Sequence, residues 1–121
     1  MVDQALIHRN ALSGNREERE GAVRQLHDNF AALPDKDAAW QDLIRLTGDE
    51  YSSVRWRAAN TLGAAFFVVP DKEAAWHDLH RLTADEDISV RFNAVYALGA
   101  AFSAVPDKDG AWWDLHRLTA D

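Results

Sequence analysis

His77 and His80, three residues apart with Asp78 between them, are the sharpest arrangement of metal-ligating groups in the sequence. On one helix that spacing puts both imidazoles on a common face, where a single metal ion could touch both. A stable site needs further ligands. The positions 36 residues earlier hold Gln41 and Ile44, and no further ligand is indicated, so the pair reads as two ordinary helical histidines and no metal or cofactor is expected. A second array consists of Asp42, Asp78 and Asp114, each three residues before an arginine. This is the spacing of a surface ion pair on a helix, worth about 0.2–0.5 kcal/mol, and no catalytic role follows from it. With five histidines, many carboxylates and no cysteine, the chain offers no constellation of nucleophile, base or metal cage. It reads as a protein that is not an enzyme.

Composition narrows the classes further. A chain of 121 residues with 47% hydrophobic residues has material for the core of one folded unit, residues 1–121. Thirteen basic against twenty acidic residues leave a formal charge of −7, which repels a phosphate backbone and makes nucleic acid a poor partner. Without cysteine there is neither a disulfide framework nor a thiolate zinc site. The longest apolar stretch, Ala64 to Val69, is far too short to span a bilayer. Met1-Val2-Asp3-Gln4 lacks the regions of a signal peptide, so a cytoplasmic location is expected, with no membrane as partner.

What must position any functional residue is an internal repeat. Pro-Asp-Lys begins at Pro34, Pro70 and Pro106, two intervals of 36 residues, a period typical of stacked helical hairpins. Trp40, Trp76 and Trp112 share a register, as do Leu43, Leu79 and Leu115. In the second half of the unit Val54-Arg55 matches Val90-Arg91, and Leu62-Gly63-Ala64-Ala65-Phe66 matches Leu98-Gly99-Ala100-Ala101-Phe102. An earlier copy survives in Ala22, Val23, Leu26 and Phe30, while its first half around Leu6, Ile7 and Leu12 has drifted, as terminal repeats facing water do.

Each half of the unit has helical periodicity. Trp40, Leu43 and Leu46 recur behind Pro34-Asp35, where the proline stops one helix and the aspartate caps the next. Val54, Ala58, Leu62, Ala65 and Phe66 fall within one apolar stripe. The expected fold is all-α, a right-handed α-solenoid of stacked antiparallel helix pairs comprising about three and a half repeats. It has about seven helices, near 4–12, 16–31, 35–47, 52–67, 71–83, 88–103 and 107–119.

The segment from Asp85 to Gly99, and its partner from Asp49 to Gly63, resembles the second helix of HEAT repeats, particularly the phycobilisome-lyase-like branch. The resemblance implies a ladder in which a turn aspartate and an arginine six residues later pair along the stack. Asp49 with Arg55 and Asp85 with Arg91 match that spacing, and Ser13, standing where the first copy would have its aspartate, interrupts the ladder at Arg19. A charge inside the apolar stripe is tolerated only if paired. HEAT-like hydroxylases hold two irons with paired His-Glu dipeptides. Here the dipeptides are His27-Asp28 and His77-Asp78, followed by Trp113-Asp114, so that activity does not transfer. Nor does a bilin-lyase site, because the resemblance lies in the scaffold repeats alone.

The second helix of each pair turns a face away from its apolar stripe, and in a solenoid that face lines the concave surface. It carries Trp56, Arg57, Asn60 and Phe67 in one unit and Phe92, Asn93, Tyr96 and Ser103 in the next, with Arg24 in the first. The otherwise faithful repeats disagree here: Glu20, Trp56 and Phe92 share one register, Gly21, Arg57 and Asn93 a second, Arg24, Asn60 and Tyr96 a third. HEAT-like families place variable contact residues at such positions. Aromatic rings, arginine and asparagine there make a hot-spot patch for another protein or peptide, the alternative being that Trp56 and Phe92 only fill the seam between neighbouring helices. The expected function is a non-catalytic protein-binding scaffold; a regulatory or sensory segment of a larger protein, or a bilin-lyase-like accessory factor, is the alternative.

The chain stops at Asp121, 36 residues after Asp85, so a last first-type helix is expected without its partner, either because the sequence is an excised fragment or because that helix acts as a cap. Trp112, Trp113 and Leu115 would then lie on an open edge, for which the natural cover is a second copy in a homodimer.

Overall fold

A computed structural model describes residues 2–102. All its regular elements are helical: α1 Gln4–Ala11, α2 Arg16–Asn29, a 3-10 turn Phe30–Ala32, α3 Lys36–Leu46, α4 Ser52–Ala65, α5 Lys72–Leu82 and α6 Ile88–Ala101. These are the first six helices expected from the repeat. The seventh, near 107–119, lies outside the described residues, and so do Ser103, Asp114, Trp112, Trp113 and Leu115 with the dimer edge they were expected to form.

The Pro-Asp-Lys tripeptide has a distinct task for each residue. Pro34 and Pro70 push Leu33 and Val69 out of helical backbone, Leu33 standing at φ −74°, ψ 137°. The next aspartate caps the following helix: Asp35 accepts from Ala38 N–H and Asp71 from Ala74 N–H, both at 3.0 Å. The lysine reaches back, Lys36 Nζ donating to the Leu33 carbonyl at 3.0 Å and Lys72 Nζ to the Val69 carbonyl at 3.1 Å, which satisfies the turn's own acceptor.

Because the chain must leave helical backbone before each proline, α2 and α4 stop at Asn29 and Ala65, two residues short of the expected ends. The tight turns that follow let Phe30 with Leu33, and Phe66 with Val69, bury their side chains. Phe67, expected on the surface of α4, instead lies in the turn beyond it, where its ring meets Phe66 edge-on at 5.9 Å.

Helices pack as α1 on α2, α3 on α4 and α5 on α6, and the second members α2, α4 and α6 pack on one another in chain order. The register of the repeat becomes the register of the core. Trp40 and Trp76, Leu43 and Leu79, Val54 and Val90, Ala58 and Ala94, Leu62 and Leu98, and Ala65 and Ala101 are all buried in one continuous apolar cluster. Small residues set the separation of α4 and α6: a side-chain carbon at Gly63 would stand 3.4 Å from the Ala97 methyl, so the two backbones approach closely. Among the described residues no helix is long and apolar enough to cross a membrane.

Candidate functional site

The second helices, which carry the candidate face, are held in register by arginines that the apolar stripe cannot accept alone. Each reaches back within its own unit to a backbone carbonyl six residues earlier: Arg19 to Ser13 at 2.9 Å, Arg55 to Asp49 at 2.8 Å, Arg91 to Asp85 at 2.8 Å. The carboxylate comes from the following unit. Arg19 Nε donates to Asp49 at 2.6 Å and Arg55 Nε to Asp87 at 2.6 Å.

The pairing expected from the spacing, Asp49 with Arg55 and Asp85 with Arg91, is therefore corrected: those aspartates offer their own arginines a main-chain oxygen. For the same reason Ser13 does not interrupt the ladder, since a serine carbonyl serves as well as an aspartate's. The side chains at this register do something else. Ser13, Asp49 and Asp85 each accept the N–H two residues on, from Asn15, Tyr51 and Asp87, and so shape the turn into the second helix.

Asp87 does double duty. It caps α6 by accepting from Ser89 N–H at 2.7 Å and from Val90 N–H at 3.4 Å, while it holds Arg55 of the preceding unit. The Arg55 hydrogen bond, and then the two backbone N–H groups, outweigh its partial burial and hold its carboxyl below the ordinary carboxylate range. A carboxyl whose folded pKa is depressed stabilises the fold fully above its unfolded pKa and stops doing so as pH falls through the folded value. Asp87→Asn keeps the cap and loses the charge. The melting-temperature gap between wild type and Asp87→Asn should be constant above about pH 5 and close below about pH 4. A gap that stays the same into acid would contradict the assignment.

A second ladder joins the first helices, at residues whose spacing alone suggests only surface pairs. Asp42, expected to make only a surface pair with Arg45, is 2% exposed. Arg45 lies 2.9 Å away as the spacing requires, but His8 Nδ1 of α1 also sits 2.8 Å from the same carboxylate oxygen. Asp78 is held likewise, by Arg81 at 3.2 Å and by the Trp40 indole N–H at 2.8 Å. Carboxylates this withdrawn from water need such donors, and here they tie each first helix to the one before. On α5, His77 is exposed and His80 partly buried, and among the described residues no group of three His, Asp or Glu converges on a point where a metal would sit.

With both ladders and the core accounted for, four of the nine large apolar side chains left in solvent among the described residues, Trp56, Ile88, Phe92 and Tyr96, lie on the second helices. Trp56 is 48% exposed, Phe92 68% and Tyr96 81%. Phe92 and Tyr96 stand mostly in solvent, whereas Trp56 is about half covered. Between α2 and α4 runs a groove of about 320 Å³. Its floor is the buried pair Val23 and Thr61; α2 contributes Arg24, His27 and Asp28, and α4 contributes Trp56, Arg57 and Asn60. Of the residues the sequence proposed for binding, four thus share one groove.

Asn60 connects that groove to α6, donating to Asn93 Oδ1 at 3.4 Å, while Asn93 donates to its own helix at the Ser89 carbonyl at 2.9 Å. Phe92 and Tyr96 continue the exposed surface on α6, whereas Phe67, off the end of α4, is not among the groove's lining residues. His27 and Asp28, which the sequence marked only as a dipeptide, face each other at 3.2 Å at the groove. Glu20, in register with Trp56 and Phe92, pairs with Arg16 and with Ser53 of α4, so the variable register is structural in the first unit and open in the next two.

No family model, no curated protein and no solved structure matches this chain.

Proposed function

We propose that the chain is a right-handed HEAT-like solenoid that acts by holding another protein or a peptide on the surface of its second helices. It is a scaffold without catalytic chemistry of its own, and neither nucleic acid nor a membrane is its partner. The phycobilisome-lyase-like character of the Asp85 to Gly99 segment supports the architecture, as do the 36-residue register and the chain-order packing of α2, α4 and α6.

The observation that carries the binding function is the exposure of Trp56, Phe92 and Tyr96 beside asparagines and arginines. Tryptophan, tyrosine and arginine dominate interface energetics because each offers large area with a directed polar group. Exposed rings on a surface made of repeated, otherwise near-identical units are positions that differ while the scaffold stays constant.

The test is to select binders from a random linear peptide library on the intact chain and measure them against Trp56→Ala/Phe92→Ala. Binding should weaken by about thirtyfold or more, the equivalent of about 2 kcal/mol at a hot spot, with the melting temperature nearly unchanged. A double variant that melts much earlier, or that binds every selected peptide as well as wild type, would remove the function from this face.

A further inference from the structure

We infer that the groove between α2 and α4 takes an acidic peptide, with a carboxylate side chain held between Arg24 and Arg57 and a neighbouring apolar side chain laid on Trp56. This rests on the reading of the second-helix surface as a protein-binding face and specifies what that face selects.

The first observation is where the charge is not. The chain carries 20 acidic residues and a formal charge of −7, yet α4 and α6 contain no aspartate or glutamate, and their charged residues are Arg55, Arg57 and Arg91. Among the described residues the acids lie in α2, α3 and α5, at Asp3 and in the connecting turns. The α4 wall of the groove thus carries no carboxylate, and of the four acids on the α2 wall only Asp28 lines it.

The second observation concerns pairing. Arg16, Arg19, Arg45, Arg55 and Arg81 each meet a carboxylate of the chain within 4 Å. Arg24 and Arg57, both exposed and both lining the same groove, meet none among the described residues. With acids this abundant, two guanidiniums left unpaired at one groove are open to a partner's carboxylate, and the planar fork of donors suits bidentate contact. The groove's one carboxylate, Asp28, has His27 beside it.

The third observation is the adjoining surface. The Trp56 ring stands half-exposed in the groove and supplies apolar area next to the two charges. A phosphate backbone would find the same arginines, but it would have to approach a molecule whose net charge opposes it. A polypeptide with one or two acids beside a leucine or an aromatic residue meets the same field with far fewer charges, so the local pairing has less repulsion to offset.

The experiment is peptide selection on the full chain, repeated on Arg24→Glu/Arg57→Glu, with a single-stranded oligothymidine as the competing probe. The expected result is that peptides selected by wild type are enriched in Asp or Glu adjacent to Leu, Phe or Trp. They should bind the charge-reversed variant about tenfold or more weakly, as expected for loss of a charge-assisted pair. Circular dichroism on the variant controls for folding, and Arg24→Gln/Arg57→Gln should show a smaller loss in the same direction.

Selected peptides that lack acidic enrichment, or that are indifferent to both arginine variants, overturn the inference. If those same peptides still depend on Trp56 and Phe92, the binding face stands and only its charge preference falls. Indifference to the aromatics as well would take down both. Oligothymidine that binds more tightly than any selected peptide, and loses affinity in the charge-reversed variant, would reassign the groove to nucleic acid.

Discussion

Leu62→Ala and Leu98→Ala should each destabilise the protein by about 2–5 kcal/mol, read as a fall in thermal midpoint of about 4 °C per kcal/mol. Both side chains are fully buried at equivalent registers of α4 and α6. The cost has two parts, the apolar transfer energy of the deleted atoms and the cavity they leave, and the second depends on whether the walls can move in. Here they have little room to do so. Gly63 already brings α4 against Ala97, and the arginine pairs fix the spacing of successive second helices. The upper half of the range is therefore expected for Leu62, which has a second helix on either side of it. Peptide binding at temperatures where the variants remain folded should be preserved, the reverse of the pattern expected for Trp56→Ala/Phe92→Ala. A cost below about 1 kcal/mol for Leu62→Ala would mean that the α2–α4–α6 contact is not the core described above.

The second large effect lies in the ladder. Arg55→Met strands the Asp87 carboxylate, and Asp87→Asn strands the guanidinium, so each single change should be costly and the pair together less than additive, with a coupling of about 0.5–3 kcal/mol. Arg55→Met combined with Asp49→Asn should show no such coupling, because Arg55 takes from Asp49 only a main-chain carbonyl that asparagine also provides. The two cycles give opposite answers for the two pairings, one within a unit and one between units. Coupling found with Asp49 and missing with Asp87 would restore the within-unit pair.

That contrast also shows what the sequence could and could not convey. The 36-residue period carried the helices and the core because Trp40 and Trp76, or Leu62 and Leu98, occupy equivalent places in successive units. Contacts between units do not join equivalent places. His8 meets Asp42 at a separation of 34, Trp40 meets Asp78 at 38, Arg19 meets Asp49 at 30 and Arg55 meets Asp87 at 32. No periodic comparison brings such partners together, so Asp42 looked like a surface residue and the arginines seemed to belong to the aspartates nearest in their own unit.

The candidate face was legible for a different reason. Trp56, Phe92 and Tyr96 lie opposite the apolar stripe, and helical projection alone puts them in solvent. Phe67 was misplaced because projection assumes the helix continues, and the approach to Pro70 ends it at Ala65. The groove itself, with Val23 and Thr61 beneath two arginines, was not legible, since its walls come from two helices whose relative rotation is set by packing.

The most direct test of the binding face is amide and indole chemical-shift mapping of the full chain titrated with the tightest selected peptide. The largest shifts are expected at the Trp56 indole N–H, the Asn60 and Asn93 side-chain amides and the backbone of α4 and α6 near Phe92 and Tyr96, with α1, α3 and α5 unmoved. Shifts concentrated on α3 and α5, around Gln41 or His77, with the Trp56 indole unchanged, would contradict it.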